Sequence, residues 1–181
     1  MTSIQQLERL LLERSVRTGE FILASGKSSG LYVDARLTTM SPEGMVLIGP
    51  LALAAINERG WYPDSIGGLT LGADPVAFSI SYSSATLPHP LRAFTVRKQP
   101  KSHGTGNLIE GPFRPKDKVV IVEDVITTGS SAIQAIDAVS KAGAKVLGVL
   151  AIVNREEGGV ESIRSRGFET ISLTSIHNLI R

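Results

Sequence analysis

Two adjacent carboxylates, Glu123 and Asp124, close an apolar run, and five small residues, Thr127-Thr128-Gly129-Ser130-Ser131, follow almost at once. Carboxylates accept hydrogen bonds from neighbouring sugar hydroxyls. A hydroxyl-rich, glycine-containing turn that opens a helix presents backbone N–H groups to an anion, and phosphate is its natural guest. Side by side, the two features suit a ribose 5-phosphate, with the diol on the acids and the phosphate on the turn. The plainer reading is a capped helix behind a surface acidic pair, and Thr-Gly-Ser alone would mostly cap. The flanking sequence argues for a site. Val119–Val122 is short, apolar and β-branched, like a strand buried on both faces of a parallel sheet. Ala132, Ile133, Ala135, Ile136, Ala138 and Val139 then recur at helical spacing. Ligands of open α/β sheets bind at the carboxyl ends of the strands, where these acids stand.

Three further clusters could do chemistry. Thr70-Leu71-Gly72-Ala73-Asp74-Pro75 follows a short strand, 65–69, and precedes an apolar helix from Val76 to about Ser83. Its small residues suit either a second anion turn or an ordinary capped loop. Segment 97–111 is polar and glycine-rich, with Arg97, Lys98, Lys101 and His103 close together. A solvated basic loop is the usual meaning of such a run. The alternative is a mobile lid whose cations stabilise charge on a departing pyrophosphate. Arg155 follows a buried strand, 146–153, and stands next to Glu156 and Glu157. It can clamp a ligand carboxylate bidentately or serve as half of a surface ion pair.

The elements that must position these groups alternate along the chain. An amphipathic helix over 3–17, with Ser3 as cap, carries Ile4, Leu7, Leu10, Leu11 and Val16 on one stripe. Phe21–Leu23 and Leu31–Val33 read as two strands around a polar turn, 25–30. A second helix begins at Ser41-Pro42-Glu43, runs to about Glu58, and turns Val46, Leu47, Leu51 and Ile56 to the core. Strand 92–96, a short helix over 160–166 and a last strand, 170–173, complete an α/β chain with a mainly parallel sheet flanked by helices.

Composition sets limits. The 181 residues suit one domain with a substantial core, and 42% hydrophobic and 20% charged residues are ordinary for a globule. The absence of cysteine excludes disulfides, thiolate metal sites and a cysteine nucleophile. A net charge of +2 gives no sign of a nucleic-acid partner. No apolar run approaches the length of a membrane span, and the amphipathic start lacks the core of a signal peptide, so a cytoplasmic enzyme is expected. His89 and His177 are expected at the surface, and no spacing of His, Asp and Glu forms a protein metal cage.

The run Val120-Ile121-Val122-Glu123-Asp124-Val125-Ile126-Thr127-Thr128-Gly129-Ser130-Ser131 resembles the phosphoribosyl-pyrophosphate (PRPP) motif of type I phosphoribosyltransferases. It contains no Gly-Lys-Ser/Thr and so is not a P-loop. Arg97-Lys98-x-x-Lys101-x-His103-Gly104 resembles the catalytic loop of orotate phosphoribosyltransferases, and 19–36 their N-terminal hood, with Tyr32 at the position that lies against the pyrimidine. The chain departs from relatives at Ala24, where several carry Lys, and at Asn154, where Asp is usual.

The resemblance implies a single type I phosphoribosyltransferase domain, 1–181, with hood 19–36, flexible catalytic loop 97–111 and PRPP motif 120–131. It implies transfer of phosphoribosyl from PRPP to orotate, giving orotidine 5′-monophosphate and pyrophosphate in pyrimidine biosynthesis. Lys101 and His103 would act on the leaving group. Arg97, Lys98, Lys101, His103, Glu123, Asp124, Val125, Ile126, Thr127, Thr128, Gly129, Ser130 and Ser131 would bind PRPP, while Thr127 and Arg155 would meet orotate. Mg²⁺ would arrive on the pyrophosphate rather than on protein side chains. The family forms two-fold dimers in which each loop 97–111 works in trans. A phosphoribosyltransferase for another base, such as a purine, and a non-catalytic regulator that binds nucleic acid are the alternatives; the basic loop and Arg155 argue against the first, the low net charge and intact loop against the second.

Overall fold

The computed structural model describes residues 1–22, 28–99 and 108–181. In chain order its elements are α1 (Ser3–Arg14), β1 (Val16–Ile22), β2 (Ser28–Val33), α2 (Arg36–Thr39), α3 (Pro42–Glu58), β3 (Ser65–Leu69), α4 (Ala73–Ser83), β4 (Arg92–Val96), β5 (Ile109–Glu110), β6 (Lys118–Ile126), α5 (Ser130–Lys141), β7 (Lys145–Asn154), α6 (Gly159–Ser165), β8 (Thr170–Ser175) and α7 (Ile176–Leu179).

Six strands form one sheet in the order β5-β4-β3-β6-β7-β8. All its pairings are parallel except β4 with β5. Because side chains alternate across a strand, β6 feeds two core layers. Val120 and Val122 pack with Leu7 and Leu11 of α1, Ile48 of α3 and Val76 of α4. Val119 and Ile121 pack with Ala135 and Val139 of α5 and Ile163 of α6. Burial of each such aliphatic side chain contributes about 1.5–3 kcal/mol relative to exposure. The chain leaves β3 through α4 towards one edge of the sheet and leaves β6 through α5 towards the other. The two carboxyl ends therefore open a crevice between them, at the switch point where such sheets bind ligands.

Several boundaries differ from the sequence reading. Helix α1 stops at Arg14, and Thr2, not Ser3, caps it through a capping box with Gln5. Val16 belongs to β1 because the chain turns at Ser15 to pair with β2. Val46 is 72% exposed; the buried face of α3 is Gly44, Ile48, Gly49, Ala52 and Ile56, because α3 meets α4 closely. A Cβ at Gly49 would collide with the Ser79 carbonyl and the Ser83 hydroxyl. Helix α4 starts at Ala73, three residues earlier than expected, since a proline in the first turn needs no N–H partner. Ile109–Glu110, within the segment read as loop, pairs antiparallel with Thr95–Val96. Strand β6 runs on through both carboxylates to Ile126. Among the described residues no helix is long and apolar enough to cross a membrane.

Candidate active site

The extra length of β6 determines how the acids are presented. Glu123 continues the face of Val119 and Ile121, whereas Asp124 continues the face of Val120 and Val122. The two carboxylates thus leave opposite faces of the sheet at its carboxyl end, and both line a cleft of about 780 Å³ at the carboxyl ends of β3 and β6. Val125, Ile126, Thr127, Thr128, Gly129, Ser130 and Ser131 line it as well.

The turn into α5 is held by its own polar atoms. The Thr128 hydroxyl donates to Ser130 Oγ at 3.1 Å and accepts from Ser130 N at 3.4 Å. Gly129 at the N-cap has φ +80°, a left-handed conformation costly for residues with a Cβ, and a Cβ there would lie 2.7 Å from the Gly159 carbonyl. The first N–H groups of α5 open into the cleft, as an anion site requires.

Glu123 is only 5% exposed, and its Oε1 has no hydrogen-bond partner among the described residues. Burial, and then the neighbouring charge of Asp124, push its carboxyl well above the usual glutamate range. Burial also raises Asp124, while the Val125 N–H, at 2.8 Å from Oδ1, and the charge of Arg36 pull it back. Two unassigned residues, Asp34 and Arg36, line the same cleft. Arg36 grips Asp34 by Nε and Nη2 at 2.8 and 2.9 Å, and that grip holds the Asp34 carboxyl low. They stand at the end of the hood, far in sequence from the acids they approach, so no local motif marks them. Tyr32 of β2 also lines the cleft, its ring 5.5 Å from that of Phe21.

The turn after β3 forms the opposite wall through Thr70, Leu71 and Gly72. Asp74 ties it to β4: its carboxylate accepts from Thr70 Oγ1 at 2.7 Å and Thr95 Oγ1 at 2.9 Å. Lys98 lines the cleft, and Gln134 of α5 donates to its carbonyl at 3.1 Å. Arg97 is absent from the lining and faces Glu110 at 3.6 Å. Lys101 and His103, like Ala24, lie outside the described residues.

Arg155 makes the ion pair that its sequence offered, but in the cleft rather than at the surface. It is 8% exposed, lines the cleft, and pairs with Glu157 through Nη2 to Oε1 at 2.6 Å. Asn154 Oδ1 accepts from the Glu156 N–H at 2.9 Å and so shapes the turn that carries the arginine. Among the described residues no group of three or more His, Asp or Glu side chains could hold a metal ion.

An acid pair, an anion turn and a buried guanidinium around one switch-point cleft can hold a sugar phosphate beside a carboxylate-bearing group. Residues 94–179 match the phosphoribosyl transferase domain, the class to which that geometry points. The orotate phosphoribosyltransferase of Aquifex aeolicus is 43% identical over 183 residues, 99% of both chains. The Mycobacterium tuberculosis orotate phosphoribosyltransferase bound to Fe(III) dicitrate superposes with a TM-score of 0.86 at 38% identity, covering 98% of this chain and 99% of that one. A structure of the same mycobacterial enzyme in complex with PRPP gives 0.83 at 34% identity, over 99% and 100% of the two chains. This chain belongs to the orotate phosphoribosyltransferase family.

Proposed function

We propose that the chain is a single domain that transfers phosphoribosyl from PRPP to orotate, releasing pyrophosphate and forming orotidine 5′-monophosphate for pyrimidine synthesis in the cytoplasm. The observation that carries this reading is the grouping of Glu123, the Thr127–Ser131 turn and Arg155 around one cleft. The turn takes the 5-phosphate on the N–H groups of α5. The ribose diol lies on Glu123 and Asp124, and a sugar hydroxyl supplies the partner that Glu123 Oε1 lacks. Arg155 holds the orotate carboxylate, Thr127 stands beside the base, and the Tyr32 ring offers it a face. Backbone at Thr70–Gly72 and the cations Arg97, Lys98, Lys101 and His103 receive pyrophosphate, with Lys101 and His103 acting on it as it leaves.

As the C1–O bond to pyrophosphate breaks, C1 becomes oxocarbenium-like and a ring nitrogen of orotate attacks it. The protein contributes position and charge rather than a covalent intermediate. A Mg²⁺ would enter on PRPP, held by its oxygens and by water rather than by protein side chains, and would neutralise pyrophosphate charge.

A homodimer completes the reading, with Lys101 and His103 of loop 97–111 serving the partner's cleft. Leu71 at the mouth of the cleft is 53% exposed, and Phe78 and Tyr82, one turn apart on α4, are also open to solvent. Such a strip suits burial against a second copy. The test of substrate choice is to assay one preparation with orotate, uracil and purine bases, and to repeat it with Arg155→Ala. Turnover of orotate alone is expected, with a rise in the Michaelis constant for orotate far larger than that for PRPP. Equal rises for both substrates, or turnover of a purine, would refute the assignment.

A further inference from the structure

Arg155 and Glu157 differ in a way that matters for binding. The arginine is buried and carried on the end of a core strand, and its backbone N–H donates to the Ile126 carbonyl at 2.9 Å. Its Nη2 also lies 3.5 Å from the Leu31 carbonyl of the hood. The glutamate side chain is 34% exposed and sits just before the two glycines of the turn. Their contact uses one donor, Nη2, while Nε, on the same edge of the guanidinium plane, is buried and has no hydrogen-bond partner among the described residues. A carboxylate reaches its strongest contact with arginine by spanning Nε and Nη2 together. Glu157 therefore occupies half of a two-donor edge and leaves the other half unsatisfied.

We propose that Glu157 is an internal stand-in for the substrate carboxylate, holding Arg155 in the free protein and giving way when orotate spans both donors. This rests on the reading of Arg155 as the carboxylate clamp. The exchange is directional. An incoming carboxylate satisfies Nε as well as Nη2, and the displaced glutamate has only to swing into water it already touches. Arg155 keeps its place because packing and its strand hold it, so loss of Glu157 leaves the clamp formed. The resident pair sets a threshold: ligands with a carboxylate can displace it, whereas an uncharged pyrimidine ring would leave both charges in place and gain nothing from the arginine. Glu157 thereby lowers the affinity for orotate and leaves that for an uncharged ring unchanged.

The test measures binding of orotate, and of its methyl ester as the same ring with the charge masked, to the full chain and to Glu157→Gln, Glu157→Ala and Arg155→Ala. Both Glu157 variants are expected to bind orotate about three- to tenfold more tightly, the size of a partly exposed charged pair. The ester should change less than twofold, and the Michaelis constant for PRPP should hold. If Arg155→Ala weakens orotate while both Glu157 variants leave it unchanged or weaker, the clamp stands and the exchange is overturned. If Arg155→Ala leaves orotate binding intact, the clamp reading itself fails and the exchange falls with it.

Discussion

Gly72 offers a way to disturb one carboxylate of the cleft without touching it. Its backbone, φ −63° and ψ −40°, is one that any residue adopts, so alanine there brings no strain of its own. The space is the obstacle. A Cβ at Gly72 would lie 2.8 Å from Asp124 Oδ2 and closer still to Oδ1. Asp124 must then rotate away and give up the 2.8 Å contact between the Val125 N–H and its Oδ1. If that carboxylate holds a ribose hydroxyl, Gly72→Ala removes at least one charge-assisted hydrogen bond, worth about 1.5–3 kcal/mol. The affinity for PRPP should fall about ten- to a hundredfold, at 1.4 kcal/mol per decade. Stability should change little, because Gly→Ala at a compatible position adds about 0.4–1 kcal/mol and offsets part of the disturbance. Calorimetric titration with PRPP, beside a melting curve, measures both. The substitution should also lose its effect in an Asp124→Ala background, where the methyl meets no carboxylate. Unchanged PRPP affinity in a folded Gly72→Ala protein would remove Asp124 from the ribose site.

Glu123→Gln should gain thermal stability over the parent as pH rises above 4.5, the ordinary glutamate value. With its pKa raised by burial, the folded parent binds more protons than the unfolded chain in that window, so the parent loses stability as pH rises; parallel melting curves across the window that show no such gain refute the burial argument. Asp74→Ala should lower unfolding stability by about 2 kcal/mol, since two hydroxyls lose a charged acceptor, and should raise the Michaelis constant for PRPP more than that for orotate; denaturant unfolding and steady-state kinetics check the two parts. For the loop, Lys101→Ala and Asp124→Asn proteins should each be nearly inactive, and mixing them should restore about a quarter of parent activity through the half of the dimers that are mixed. No recovery after verified subunit exchange means that the loop serves its own subunit.

What could be read from the chain depended on how local each feature is. The acid pair and its turn lie within one continuous strand–turn–helix, so their placement together was legible from spacing alone. Asp34 and Arg36 reach the same cleft by way of the hood, and nothing around them in sequence points to Asp124. Val46 misled because hydrophobic spacing on α3 cannot show that glycines, not large side chains, face α4. The strand β5 escaped because its two residues carry no pattern and exist only by pairing with β4. Arg155 was ambiguous in sequence because both a clamp and an ion pair were physically open, and the structure contains the ion pair inside the cleft.

The seam between β3 and β6 has a mechanical consequence. These strands pair only from Ser65–Gly67 to Val119–Ile121, whereas β6 and β7 run together from Lys118 to Ile126 and β3 and β4 from Ser65 to Leu69. Beyond Gly67 no ladder joins the two halves of the sheet, and the cleft lies at that end. A molecule held at once by the Thr70–Gly72 turn and the Thr127–Ser131 turn bridges the two halves like a staple. Amide exchange near the seam should therefore slow when PRPP is bound, and the slowing should extend down β3 and β6 to residues that never touch the ligand.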